Sequence, residues 1–299
     1  MGAILKTTLA FLIAISTLQT AASAPWELPE GVKTLTVNSY PMAFLDKGTG
    51  QTVVLVHGAG AHDYRVWAEL TAAPPSGFRL VAVSLRHLYP EPWDGKGDGY
   101  SIKQHAEDLT AFLDTLGVGP VYLVAHSRGA SVGLIAAKAG PDLIKKLVLM
   151  EGAFFGLLPK PAPASAKPGI PIGETRRAVA ARFTQGDIDG GLELWWDQDR
   201  PGSWARLSDA WRQMSRDNAW TLLAPPEVSP VTCDDVAGLK APVLLMQGEK
   251  TNPQMKNVVD ATYKCLPSAA RVIIPNAGHP MHLDNPAAFR SELVKFLSK

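Results

Sequence analysis

The stretch from Val121 to Ala139 constrains the fold more than any other part of this 299-residue chain. It opens with a continuous apolar run, Val121 to Ala125, which is typical of a strand buried on both faces. Ser127 follows, with Gly129 two positions later, and an alanine- and glycine-rich helical pattern comes next. The order strand, tight turn, helix predicts that Ser127 lies in the turn at the carboxyl end of a strand.

Three other polar residues follow apolar strand runs in the same way. They are His57, Glu151 and His279, after the runs that end at Val56, Met150 and Ile274. Helical patterns separate the runs, and strands that alternate with helices predict a mostly parallel sheet covered on both faces. Because reactive groups in such sheets gather beyond the carboxyl ends of the strands, we expect the four side chains to lie near one another.

Three motifs resemble those of a known family. Residues 125–129 match the nucleophile elbow G-x-S-x-G, except that Ala125 replaces the first glycine. His57-Gly58-Ala59-Gly60 resembles the His-Gly turn that α/β-hydrolases carry after their third strand, and Gly278-His279-Pro280 follows the last strand. Over about residues 30–298 the chain therefore resembles the α/β-hydrolase fold family. The resemblance implies a mostly parallel α/β-hydrolase sheet covered by helices on both faces, with a helical lid inserted after strand 6.

The same resemblance implies how the reactive groups would work. A serine hydroxyl is a poor nucleophile until a base takes its proton, so Ser127 requires a histidine. His279 stands where the family carries its base, and His282, three residues later, is the alternative. The backbone N–H groups of Ala59 and Arg128 are the implied oxyanion hole.

The acid that orients the base is where the sequence departs from the common pattern. Most of the family carries an aspartate in a Gly-x-x-Asp turn after the seventh strand, but this turn reads Gly248-Glu249-Lys250-Thr251. Some branches place the acid at the end of the sixth strand, so we predict Glu151 for this role, with Glu249 as the alternative. Asp234, Asp235 and no acid at all are the remaining possibilities. The other interpretation is that Glu151 forms a structural ion pair with Arg86 or Arg128.

The chain between strand 6 and strand 7 differs from the rest in its residue pattern and its tryptophan content. Residues 174–222 are helical in pattern and hold five of the eight tryptophans. We predict a helical lid over residues 153–230, between two parts of the core at 25–152 and 231–299. The predicted substrate pocket consists of His57, Gly58, Gly60, Trp195 and Trp196, with Gly60 also an alternative oxyanion donor. The competing interpretation is that the tryptophans form only the core of the lid and that His57 holds its turn.

The first two dozen residues have the pattern of a secretory signal peptide. Lys6 precedes an apolar run from Leu9 to Leu18, and small residues end the segment at Ala22 and Ala24. The alternative is a membrane anchor, but the run is shorter than the ~20 residues that span a bilayer. We therefore predict a signal peptide at 1–24, no stable membrane anchor, and a periplasmic or secreted product. In an oxidising compartment Cys233 and Cys265 are expected to form a disulfide, the alternative being two buried thiols.

Together these features predict an exported serine hydrolase that cleaves a small hydrophobic carboxylic ester or lactone through an acyl-enzyme. The net charge of +1 does not favour a nucleic-acid partner. Without a zinc motif or a dinucleotide fingerprint, we expect no metal and no cofactor. The alternatives are another serine-triad reaction (a C–C bond hydrolase, an amidase or a perhydrolase) and a non-catalytic ligand-binding receptor.

Overall fold

The described residues form an eight-stranded sheet. A computed structural model describes residues 24–159, 172–198 and 201–299. The strand order is β1-β2-β4-β3-β5-β6-β7-β8. Strands β1 and β2 pair antiparallel with their neighbours and the remaining pairs are parallel, which confirms the predicted mostly parallel sheet. The strands are β1 Val32–Val37, β2 Tyr40–Gly48, β3 Gln51–Val56, β4 Phe78–Val83, β5 Val121–His126, β6 Ile144–Met150, β7 Val243–Gly248 and β8 Ala270–Ile274.

Helices cover both faces of this sheet. Alternate residues of a strand point to opposite faces, so in β5 Leu123 and Ala125 join one buried cluster and Tyr122 and Val124 join the other. Both faces of the central strands are therefore withdrawn from water. The α-helices are α1 Ala68–Ala72, α2 Ile102–Leu116, α3 Arg128–Ala139, α4 Ile172–Thr184, α5 Ile188–Asp197, α6 Ser203–Arg206, α7 Asp209–Asp217, α8 Cys233–Ala237, α9 Pro253–Cys265, α10 Met281–Asp284 and α11 Pro286–Leu297. Short 3-10 helices are Tyr64–Trp67, Pro141–Leu143, Phe155–Leu157 and Ala219–Leu223.

A helical insertion lies between β6 and β7, as predicted. It comprises α4 to α7 and has a small apolar core of its own, which includes Phe183, Leu192 and Trp204. Ala61, from the turn after β3, belongs to the same cluster. The insertion is thus packed against the carboxyl end of the sheet, and we call it the lid.

A disulfide joins Cys233 of α8 to Cys265 of α9, with an S–S distance of 2.04 Å. It fastens together the two helices that precede and follow β7 in the chain. The predicted signal peptide lies outside the described residues, apart from Ala24. Among the described helices, none combines the length and the apolar character needed to cross a membrane.

Candidate active site

Ser127 occupies the sharp turn between β5 and α3. Its backbone has φ 55° and ψ −123°, a conformation that costs a non-glycine residue about 1–3 kcal/mol and that the surroundings must enforce. The Ser127 N–H donates to the carbonyl of Met150 at 2.9 Å, and the Ser127 carbonyl accepts from Ala153 at 3.1 Å. The turn is therefore held by the end of the neighbouring strand, β6.

Small residues around the turn allow this close approach. A Cβ on Gly129 would lie 2.1 Å from the carbonyl oxygen of His57, and one on Gly58 would lie 3.0 Å from Cβ of Ser127. The methyl group of Ala125 faces Gly133 of α3. A Cβ added to Gly133 would lie 3.0 Å from this methyl group. The elbow thus tolerates alanine in place of the first glycine because the facing helix residue is glycine.

A continuous chain of hydrogen bonds links Ser127, His279 and Glu151. Nε2 of His279 lies 2.9 Å from Oγ of Ser127, and Nδ1 lies 2.7 Å from Oε2 of Glu151. A carboxylate only accepts hydrogen bonds, so Nδ1 carries the ring proton and Nε2 is free to accept the proton of Ser127. This is the tautomer that a histidine needs to act as a general base toward a serine.

The carboxylate of Glu151 is almost fully buried, with 1% of the residue exposed. Besides His279 it accepts two further hydrogen bonds, both from the turn after β7, which we take as Gly248, the last strand residue, to Thr251. The Gly248 N–H donates to Oε1 at 2.7 Å and the Thr251 hydroxyl donates to Oε2 at 2.8 Å. Three donors compensate for the loss of water around a buried charge, which would otherwise be costly.

The turn after β7 is also packed directly against the loop that carries His279. A Cβ on Gly248 would lie 2.1 Å from the carbonyl oxygen of Gly278, so only glycine fits there. The Lys250 N–H donates to the carbonyl of Ala277 at 2.8 Å. One turn therefore positions both the carboxylate and the histidine.

The other predicted acids lie elsewhere. Glu249 is exposed and accepts from the N–H of Asn276 at 2.8 Å. Asp235 completes the capping box of α8 with Thr232 and pairs with Lys138, and Asp234 is exposed. The interpretation of Glu151 as an ion pair with an arginine is wrong, because both arginines have other partners. Arg86 pairs with Asp108 and Arg128 pairs with Glu227.

His126 packs against His279 with ring centroids 4.6 Å apart, His282 packs against His126, and both are neutral rings. Burial lowers the pKa of His126 well below its usual value and lowers the pKa of His282 to about 3. Nε2 of His126 lies 3.1 Å from the carbonyl oxygen of His279, so it donates to the backbone of the loop. His282, the alternative base, packs against Trp67 with ring centroids 4.6 Å apart.

The implied oxyanion donors border the nucleophile. Ala59 and Arg128 line the same cavity as Ser127. Arg128 begins α3, and the first N–H groups of a helix have no partner within the helix. They can therefore point at a developing negative charge, as can an N–H in the Ala59 turn.

A cavity of about 360 Å³ opens beside Ser127, between the sheet edge and the lid. This volume is at the small end of the range for pockets that bind small molecules. Of the predicted pocket residues, Gly60 and Trp195 line it. Most of the wall was not predicted from the sequence, and it comes from the start of α2, the segment after β6, the lid and the chain between the lid and β7. The remaining lining residues are Tyr100, Ile102, Ala153, Phe155, Arg176, Thr221, Leu222, Ala224, Pro225, Pro226, Glu227 and Ser229.

Three predicted pocket residues do not line this cavity. His57 is buried behind it, where Nε2 accepts from the N–H of Leu85 at 3.2 Å. Burial also lowers the pKa of His57 to about 4. Gly58 serves the close approach of the β3 turn to Ser127. Trp196 packs inside the lid region, where it contacts His62 and Trp211 and donates to Ser215.

Comparison with known proteins agrees with this architecture. The model of the alpha/beta hydrolase family matches residues 53–292. The chain belongs to this family. A Mycobacterium tuberculosis protein named as a non-heme bromoperoxidase is 25% identical in a 280-residue alignment that covers 86% of this chain and 97% of that protein.

Two solved structures illustrate the shared fold. The carboxylesterase CesB of Bacillus subtilis superposes with a TM-score of 0.66 at 20% identity, covering 91% of this chain and 93% of its own. Est816, described as an N-acyl homoserine lactone degrading enzyme, superposes with a TM-score of 0.63 at 18% identity, covering 88% and 99%. The comparisons and the sheet identify the chain as a hydrolase of this fold.

Proposed function

We propose that this hydrolase is an exported serine enzyme that cleaves a small carboxylic ester or lactone through an acyl-enzyme intermediate. The observation that carries the proposal is the hydrogen-bonded chain from Ser127 through His279 to Glu151 at the mouth of a cavity. Two proteins of the same fold support it by their names, CesB as a carboxylesterase and Est816 as an N-acyl homoserine lactone degrading enzyme.

Acylation begins when Nε2 of His279 takes the proton of Ser127 and Oγ attacks the carbonyl carbon of the substrate. The carbonyl oxygen gains a negative charge, which the N–H groups of Ala59 and Arg128 stabilise. The C–O bond to the alcohol then breaks, and the alcohol oxygen takes the proton from His279. In a lactone this alcohol remains attached to the acyl chain.

Deacylation repeats these steps with water. His279 takes a proton from a water molecule, whose oxygen attacks the acyl carbon. The bond to Oγ of Ser127 breaks, and Oγ recovers the proton from the histidine. Through both steps Glu151 remains ionised and stabilises the imidazolium, which forms and disappears twice.

Export rests on the N-terminal pattern at residues 1–24 and on the disulfide, which is typical of oxidising compartments. Expression of the full chain with its native N-terminus, followed by mass measurement of the periplasmic and medium fractions, tests it. We expect a product that has lost about 24 residues. A full-length product confined to the cytoplasm would contradict export.

A fluorophosphonate probe tests the chemistry without knowledge of the natural substrate. We expect covalent labelling at the peptide that contains Ser127 and none in Ser127→Ala. Turnover of p-nitrophenyl esters, lactones and aryl amides of matched acyl length then separates the reaction classes. Preferred hydrolysis of amides would replace the proposed substrate class, and an unlabelled Ser127 would contradict serine catalysis altogether.

A further inference from the structure

The described cavity wall has more positive than negative side chains. The described wall contains two guanidinium groups, Arg128 and Arg176, and one carboxylate, Glu227. The space next to Ser127 is therefore electropositive even before the helix terminus at Arg128 is considered. The two arginines differ in what surrounds them, and this difference indicates which one is available to a ligand.

Arg128 is already satisfied. Nη2 lies 3.3 Å from Oε2 of Glu227, and Nη1 donates to Nδ1 of His105 at 2.8 Å. The guanidinium also lies over the ring of Tyr100, 4.8 Å from its centroid. His105 can accept because its Nε2 donates to the carbonyl of Arg86 at 3.1 Å, which leaves Nδ1 unprotonated. Arg128 thus has the role of a structural cation in the wall.

In the part of the chain that the structure describes, Arg176 has no charged partner. It projects from α4 of the lid, is half-buried, and donates to the carbonyl of Ala224. Among the described residues no carboxylate lies within 4.0 Å of its guanidinium. Outside the described residues, segments 1–23 and 160–171 contain no aspartate or glutamate, and segment 199–200 contains one, Asp199. A guanidinium has five N–H donors and stays charged in proteins, so one neutral carbonyl leaves most of its capacity unused.

Burial without a counter-ion among the described residues disfavours the charge of Arg176. Burial is the main cause that lowers the pKa of this side chain below its ordinary value. A partly desolvated charge is costly unless it is paired. A ligand carboxylate in the cavity would supply the pair, and the planar guanidinium fork matches a carboxylate in shape.

Most of the remaining wall is apolar. Ile102, Phe155 and Leu222 line the cavity together with Trp195 and two adjacent prolines, Pro225 and Pro226. Such a wall suits a hydrocarbon chain and gives a free carboxylate few partners other than Arg176. The cavity therefore combines a nucleophile, an apolar passage and one cation that has no counter-ion among the described residues.

We propose that the substrate is an ester or lactone that carries a free carboxylate on an apolar chain, and that Arg176 binds this carboxylate. The inference rests on the proposed function, since it names the substrate class of the same site. Arg176 is a specificity-determining residue in this scheme, and it takes no part in the proton transfers between Ser127 and His279.

Two esters of equal chain length test this proposal. The p-nitrophenyl hemiester of glutaric acid carries the free carboxylate, and p-nitrophenyl valerate is its neutral counterpart. We expect the wild-type enzyme to favour the hemiester in kcat/KM. Arg176→Gln should lower the ratio of kcat/KM for hemiester over valerate by about 10- to 100-fold, as expected for loss of a charge-assisted hydrogen bond. The loss should appear mainly in KM, and Arg176→Lys should recover part of the ratio.

Arg177→Gln is the matched control, because Arg177 is the next residue of α4 and is exposed. This variant should retain the wild-type ratio. If Arg176→Gln and Arg177→Gln give the same ratio as the wild-type enzyme, Arg176 does not recognise the carboxylate, although ester hydrolysis by Ser127 would stand.

Ligand binding to an inactive variant tests the carboxylate site independently of the proposed hydrolysis. In the Ser127→Ala background, which has no nucleophile, monomethyl glutarate and methyl valerate can be compared by ligand-observed NMR. Preferential binding of the acid that is lost on adding Arg176→Gln supports the carboxylate site even if no ester is turned over. Equal binding of the two esters would overturn it, whatever the fluorophosphonate result.

Discussion

The turns that follow β6 and β7 lie side by side at the same edge of the sheet but contribute differently to the candidate site. The turn after β6 supplies a carboxylate, Glu151, whereas the turn after β7 supplies only hydrogen-bond donors, Gly248 and Thr251. Most members of the family place the acid in the second turn. Here a threonine occupies that position and donates to the carboxylate that reaches across from the neighbouring strand. Either of two adjacent strand ends can therefore place a carboxylate at the same position beside His279.

Moving the charge from one turn to the other gives the largest expected effect. Glu151→Ala should lose most of its turnover, because the His279 ring then lacks its orienting carboxylate. Adding Thr251→Asp should recover about 10- to 100-fold in kcat on a p-nitrophenyl ester, because the second turn would carry the charge instead. Circular dichroism should show that both variants are folded. A folded double variant with no gain over Glu151→Ala would mean that the two turns are not interchangeable.

Thr251→Val removes the hydroxyl donor of the second turn and leaves the carboxylate of Glu151 in place. It removes one of the three hydrogen bonds to Glu151 and leaves those of Gly248 and His279. We expect kcat to fall by about 3- to 10-fold, which corresponds to one hydrogen bond of moderate strength. Thr251→Ser retains the hydroxyl and should stay near wild type. Equal activity of the valine and serine variants would show that the Thr251 hydroxyl does not support the carboxylate.

The disulfide provides the smallest expected effect on catalysis. Cys233 and Cys265 are 32 residues apart and join the helices on either side of β7. Replacing both with serine should lower the free energy of unfolding by about 3–4 kcal/mol in the chain-entropy model. The kcat of the folded variant should change by no more than about twofold, because the turn after β7 is held by its own backbone hydrogen bonds. Urea denaturation and steady-state kinetics measure the two quantities. A large loss of kcat with unchanged stability would contradict this separation.

Much of the fold could be predicted because strand runs and their order are local properties of the sequence. The apolar runs before Ser127 and Glu151 indicated parallel strands whose carboxyl ends meet, and the structure has that sheet. The hydrogen bond from Thr251 could not be predicted in this way. It depends on the alignment of β6 with β7 and on the reach of one side chain, which no periodicity encodes.

The lid was the least predictable part of the candidate site. Trp195 and Trp196 are neighbours in sequence, yet Trp195 lines the cavity and Trp196 packs away from it. No sequence pattern indicated that Arg176 lines the cavity, because an arginine in a helical pattern is ordinarily solvated. Its place in the wall follows from how α4 packs on the rest of the lid, which is a tertiary property.

The rate at which a fluorophosphonate labels Ser127 tests the role of Glu151 most directly, because it needs no knowledge of the substrate. The comparison is between wild type, Glu151→Gln and Glu249→Gln, with the second-order rate constant measured for each. Glu151→Gln should react about 10³- to 10⁴-fold more slowly, because the glutamine amide no longer supports the required tautomer and charge of His279. Glu249→Gln should react within about twofold of wild type, as expected for an exposed site away from the hydrogen-bonded chain. A Glu151→Gln variant that labels at the wild-type rate, or a Glu249→Gln variant that loses the reaction, would contradict the assignment of Glu151 as the acid.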